Sequence, residues 1–90
     1  MRLDKYLKVS RILKRRTVAN QLAANQRVTI NGKTAKPSTE VKIGDEVEIT
    51  YGERVLKVRI LAVSENVRKN DAAGMYEVIE ETYVREDLES

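Results

Sequence analysis

Between Arg2 and Ser10 the apolar residues fall at Leu3, Tyr6 and Leu7, with Ser10 continuing their face, and this spacing predicts a helix. On a wheel of about 100° per residue, Arg2, Lys5 and Lys8 turn to the opposite side. Asp4 falls in the first turn, where the helix dipole favours an acid, and stands four residues before Lys8, so its expected role is helix support. A turn from Ser10 to Lys14 follows, with Ile12 and Leu13 as its anchors into the core. Val18, Ala19, Leu22 and Ala23 form a second apolar stripe. They predict a helix from Arg15 or Arg16 to Asn25, with Asn25 as the left-handed residue that ends it.

The period then changes to two. Arg27-Val28-Thr29-Ile30 alternates, and Asn31-Gly32 is a strong hairpin signal, so Lys33-Thr34-Ala35-Lys36 is expected to return beside it. Pro37-Ser38-Thr39 breaks the run and Gly44-Asp45 marks another turn. Glu46 to Thr50 alternates again, Tyr51-Gly52-Glu53 turns, and Arg54 to Leu61 places Leu56, Val58 and Ile60 on one face. Asn66 to Gly74 is polar and reads as an exposed loop, and Met75 to Val84 as a last strand. The expected fold class is α+β, with two N-terminal helices packed on a small twisted, mainly antiparallel sheet. Residues 1–61 form its main part, residues 62–84 complete the same domain with a loop and a strand, and residues 85–90 are an acidic tail expected to fray.

Composition narrows the chemistry. Ninety residues suit one domain, and the chain has neither Cys nor His. Most metal sites, thiolate catalysis and the commonest general base are thereby removed, so no enzyme, metal or cofactor is expected. No uncharged apolar run reaches the length of a membrane span or signal peptide, which predicts a soluble cytoplasmic protein without a membrane partner. Charge distribution says more than the net +3. Residues 1–42 hold eleven Lys or Arg against two acids, whereas residues 43–90 hold six against twelve. A chain so divided is expected to offer its basic half to a polyanion and keep its acidic half off that surface.

The cations fall into four groups: Arg2, Lys5 and Lys8 on the first helix, Arg11 and Lys14 in the turn, Arg15 and Arg16 opening the second helix, and Lys33 and Lys36 by the hairpin. Cations at a helix N-terminus are locally unfavourable unless an anion arrives, and backbone N–H groups there would serve the same anion. The mixture of Arg forks and Lys point charges suits phosphate tracking more than base reading. Only Tyr6 among the aromatics lies in the basic half, where it is expected against the core. Structured RNA therefore fits better than single strands stacked on aromatic faces. The same two helices also fit a DNA-reading helix-turn-helix, with Arg16, Asn20 and Gln21 exposed towards base edges.

Four stretches, "RLDKYLK" at 2–8, "SRILKRRTVANQL" at 10–22, "RVTINGKTAKPSTEV" at 27–41 and "GDEVEI" at 44–49, together resemble the αL RNA-binding domain of small-subunit ribosomal protein S-four. The resemblance spans about residues 1–61. It is nearest to stand-alone members of that family that act in ribosome quality control, without an attached synthase or synthetase module. Heat-shock protein fifteen, a large-subunit recycling factor with a longer basic C-terminal extension, is similar at greater distance, and this chain departs from it by ending acidic. The resemblance implies RNA binding through Arg2, Lys5, Lys8, Arg11, Lys14, Arg15, Arg16, Lys33 and Lys36. It implies as partners the ribosomal RNA of an obstructed large subunit, its peptidyl-tRNA, and an RqcH-type factor that adds alanine to the stalled chain. A monomer is expected.

Overall fold

The first apolar stripe forms helix α1, Leu3–Val9, and the second forms α2, Arg16–Ala24. These and the elements below belong to a computed structural model that describes residues 1–65 and 67–83. The tail expected at 85–90 and the last residue of the predicted final strand, Val84, lie outside the described residues. Both helices end in a left-handed residue, Arg11 (φ 63°) after α1 and Gln26 (φ 64°) after α2. After α2, Gln26 N–H donates to the Ala23 carbonyl at 3.1 Å and Arg27 N–H to the Leu22 carbonyl at 2.9 Å. This double bond pattern satisfies the last helical carbonyls. The reversal falls on Gln26 rather than on Asn25 because Asn25 N–H still completes the helical ladder, donating to the Gln21 carbonyl at 3.0 Å.

Five strands follow: β1 (Val28–Ile30), β2 (Lys33–Thr34), β3 (Glu46–Tyr51), β4 (Arg54–Ile60) and β5 (Tyr76–Tyr83). They pair antiparallel in the order β2-β1-β3-β4-β5. Asn31 (φ 52°) and Gly32 (φ 86°) make the two-residue reversal between β1 and β2. The Asn31 amide also ties that turn to β3, donating to Asp45 at 3.1 Å and accepting from Glu46 N–H at 3.0 Å. β2 is shorter than its predicted four residues. Lys36 N–H leaves the ladder for the Thr39 hydroxyl at 2.9 Å, and Ala35 is buried in the core.

The helices cover one face of the open sheet. Leu3, Tyr6, Leu7, Ala19 and Ala23 meet Val47 and Ile49 of β3 and Leu56, Val58 and Ile60 of β4 in one cluster. Because side chains alternate along a strand, Tyr51 shares the face of Val47 and Ile49, and Arg54 that of Leu56 and Val58. These two, paired across the β3–β4 turn, lie at the exposed end of the face, where Tyr51 keeps 48% of its surface.

The polar stretch before β5 is not the open loop expected from its composition. Lys69–Met75 forms a 3-10 helix, and Ala72 and Met75, three residues apart and so on one side of it, are both buried. The buried Tyr6 hydroxyl donates to the Met75 carbonyl at 2.8 Å, tying this segment to α1.

Candidate RNA interface

Asp4 organises the basic face. Its backbone N–H and that of Leu3 are occupied by the carbonyls of Pro37 (3.1 Å) and Thr39 (2.8 Å), which close the start of α1. Its side chain is only 3% exposed. The two carboxylate oxygens accept Nε and Nη2 of Arg2, each at 3.1 Å, the Asn20 amide at 3.2 Å and Arg16 Nη2 at 3.4 Å. Burial pushes this carboxyl up, but the hydrogen bonds from Arg2 and Asn20 and the charges of Arg16 and Arg2 outweigh it and hold the group below its ordinary value. The expected support of the helix start holds, since the same carboxylate accepts the Lys5 backbone N–H at 2.7 Å, and a tertiary role towards α2 is added to it. Packing of α1 on α2 sets Arg16 and Asn20, one helical turn apart, over the first turn of α1, and the acid turns towards them.

The consequence for the cations is orientation. Arg2 is held along its Nε–Nη2 edge by Asp4 and Arg16 through its Nη2 alone, yet their side chains remain 50% and 48% exposed. Together with Lys5 they border one surface depression of about 420 Å³. Lys5 is less free than its place on the helical wheel suggests, since its Nζ meets Glu65 at 2.7 Å. That hydrogen bond and the Lys5 charge hold the Glu65 carboxyl below its ordinary range. The acidic half of the chain is thus not kept off the basic surface, because the segment after β4 returns beside α1.

Lys8, Arg11, Lys14 and Arg15 are exposed and follow one another along the last turn of α1, the turn and the start of α2. Among the described residues no side-chain cap closes that start, which leaves its first N–H groups to solvent or a ligand. Lys14 and Arg15 border a second cleft, of about 480 Å³, that also reaches Tyr51 and Arg54. Lys36 is exposed beside the 37–39 segment that seals α1. Lys33 is exposed on the edge strand β2, and among the described residues no side-chain hydrogen bond or ion pair joins it to the helices.

The Arg11 backbone lies at φ 63°, a conformation that costs a residue with a Cβ about 1–2 kcal/mol and glycine almost nothing. Replacing Arg11 by glycine is therefore expected to raise stability by roughly 0.5–1 kcal/mol while weakening RNA binding. Thermal melts read beside subunit co-sedimentation check this. Loss of stability in the variant would mean that the Arg11 side chain itself supports the fold.

Asp4 and Asn20 as organisers, and Tyr51, Arg54 and Glu65 as neighbours of the basic face, escape a reading of local pattern. Each is defined by a partner at least twelve residues away. No candidate membrane-spanning helix and no cluster of metal-ligating side chains occurs among the described residues.

Comparison with known proteins agrees with this architecture. The S4 domain model matches residues 1–47. A Streptococcus pneumoniae protein named RQC P-site tRNA stabilizing factor is 54% identical over 88 residues, covering 98% of this chain and 100% of that one. The Bacillus subtilis protein of the same name is 44% identical over 81 residues, covering 90% and 94%. The trimeric structure of Vibrio cholerae Heat Shock Protein 15 has a TM-score of 0.80 at 32% identity, covering 87% of this chain and 80% of that one. The chain belongs to the S4-domain family, among the relatives named RQC P-site tRNA stabilizing factor.

Proposed function

We propose that the protein is a non-enzymatic, cytoplasmic RNA-binding factor that holds peptidyl-tRNA on an obstructed large ribosomal subunit. The observation that carries this reading is the pair of half-exposed guanidinium groups, Arg2 and Arg16, oriented by one buried acid beside the uncapped start of α2. Such preset forks match phosphate oxygens with little further ordering. The name shared by the relatives supports the P-site tRNA as one of the bound RNAs. Lys8, Arg11, Lys14 and Arg15 extend the contact along one ridge to ribosomal RNA, with Lys36 and Lys33 as outlying contacts. With the tRNA held in place, an RqcH-type partner extends the stalled chain with alanine, and the factor itself acts as a monomer.

The DNA-reading alternative is disfavoured by a specific contact. Asn20, one of the three side chains that would read base edges, spends its amide on Asp4 at 3.2 Å. Salt dependence and competition test the proposal together. If roughly five to eight phosphates are contacted, affinity for large subunits falls with a log–log slope of about −0.7 to −0.9 per contact. From about 50 to about 200 mM salt this amounts to roughly two to four orders of magnitude. Duplex DNA at equal phosphate concentration should leave the subunit complex intact. Displacement by DNA, or a flat salt response, would refute the reading.

A further inference from the structure

We propose that the cleft between the α1–α2 turn and the exposed end of the sheet receives one unstacked base of the bound RNA, a deepening that rests on the RNA-binding reading above. The cleft has the volume of a small-ligand site, about 480 Å³, within the usual range of about 300–1,000 Å³. Its walls are chemically divided. Ile12, Leu13 and Val18 supply an apolar side, and Tyr51 supplies an aromatic ring that is 48% exposed. Lys14 and Arg15 supply a cationic rim on the same side as the uncapped start of α2.

A purely apolar partner would leave those cations without a counter-charge, and a bare phosphate would leave the apolar wall and the ring unused. A nucleotide satisfies both, its base against Tyr51 and the aliphatic wall, its phosphate on Lys14 and Arg15. Arg54 also borders the cleft, but its Nε is held by Glu81 at 2.6 Å, and Glu81 accepts the Tyr83 hydroxyl at 3.1 Å. The pair places a neutralised charge at the far wall and leaves Lys14 and Arg15 to meet the anion. The site is assembled from both halves of the chain, which is why an aromatic face for a base was missing from the basic half.

The test titrates isotope-labelled protein with adenosine 5′-monophosphate and, separately, with inorganic phosphate, reading the methyl resonances of Ile12, Leu13 and Val18. The nucleotide should shift these methyls and phosphate should not. Tyr51→Ala should abolish the shift and Tyr51→Phe, which keeps the stacking face, should retain it. On large ribosomal subunits Tyr51→Ala should weaken binding about tenfold, the effect of losing one base–aromatic stack, and Tyr51→Phe should restore it. Silent methyls together with weakened subunit binding by Tyr51→Ala would overturn the proposal in favour of a protein side chain in the cleft. Wild-type subunit binding by Tyr51→Ala would overturn it outright. Arg16→Ala measured in parallel separates the levels: if it loses binding while Tyr51→Ala does not, the cleft proposal fails alone, and if neither loses binding, the RNA reading fails with it.

Discussion

Replacing Arg16 by alanine is expected to lower affinity for large ribosomal subunits by at least about tenfold, because a hydrogen bond to a charged group contributes roughly 1.5–3 kcal/mol. The fold should survive. Arg16 is half exposed, and its ion pair to Asp4 is 3.4 Å long, so its loss should change stability by less than about 1 kcal/mol. Arg2 and Asn20 still satisfy the carboxylate in the variant. The salt slope should also shrink by about 0.7–0.9, the share of one phosphate. Arg16→Lys keeps the charge without the planar fork and should fall between the two. Co-sedimentation of Arg16→Ala with large subunits at the wild-type level, with an unchanged thermal melt, would remove Arg16 from the interface.

The second large effect concerns a residue that touches no RNA in this reading. Asp4→Asn makes the chain more positive, and charge counting alone would have it bind RNA more tightly. The geometry argues for the opposite, roughly three- to tenfold weaker binding, because Arg2 and Arg16 lose the acid that aims them and must be ordered at the moment of binding. Stability should also fall, by about 1 kcal/mol or roughly 4–8 °C in Tm, a figure kept small because both arginines are half in water.

The pH dependence carries a definite sign. The carboxyl of Asp4 lies below its ordinary value in the folded protein. Its contribution is therefore fully present above the unfolded value of about 3.9 and is lost as pH falls through the folded one. Melts of the wild type and Asp4→Asn should differ at neutral pH and converge in acid below about pH 4. A gap that persists at low pH would show that Asp4 supports the fold by packing rather than by charge. Tighter RNA binding by the variant would show that orientation of the two arginines is unimportant.

Helices, hairpin and strand faces were legible because each rests on a neighbour close in sequence. Leu3, Tyr6 and Leu7 recur at the helical period and are all fully buried. Asn31-Gly32 adopts the two positive φ values that its residue types favour. Val47, Ile49, Leu56, Val58 and Ile60 alternate towards one core. Local pattern was incomplete where packing adds to it. Lys69–Met75 is polar enough for a loop, and burial of Ala72 and Met75 makes it a 3-10 helix, whose Asp71, Ala73 and Gly74 stay exposed as the composition suggests. Asp4 supports the start of its own helix through the Lys5 N–H, as its position predicts, and α1–α2 packing adds Arg16 and Asn20 as partners that local pattern does not show.

The inventory of cations and their placement on two short helices and a turn are properties of the chain read residue by residue, since period and turn chemistry act over three or four positions. Which of those cations are aimed, paired or left open depends on contacts across the fold. Asp4 reaches Arg16 over twelve residues, and Glu65 reaches Lys5 over sixty. Tyr51 joins Lys14 and Arg15 only because β3 runs its inner face out beyond the helices. Charge attracts an RNA from a distance, but the direction of a guanidinium or the presence of a ring beside it is set by packing between elements far apart in the chain, and local pattern does not encode it.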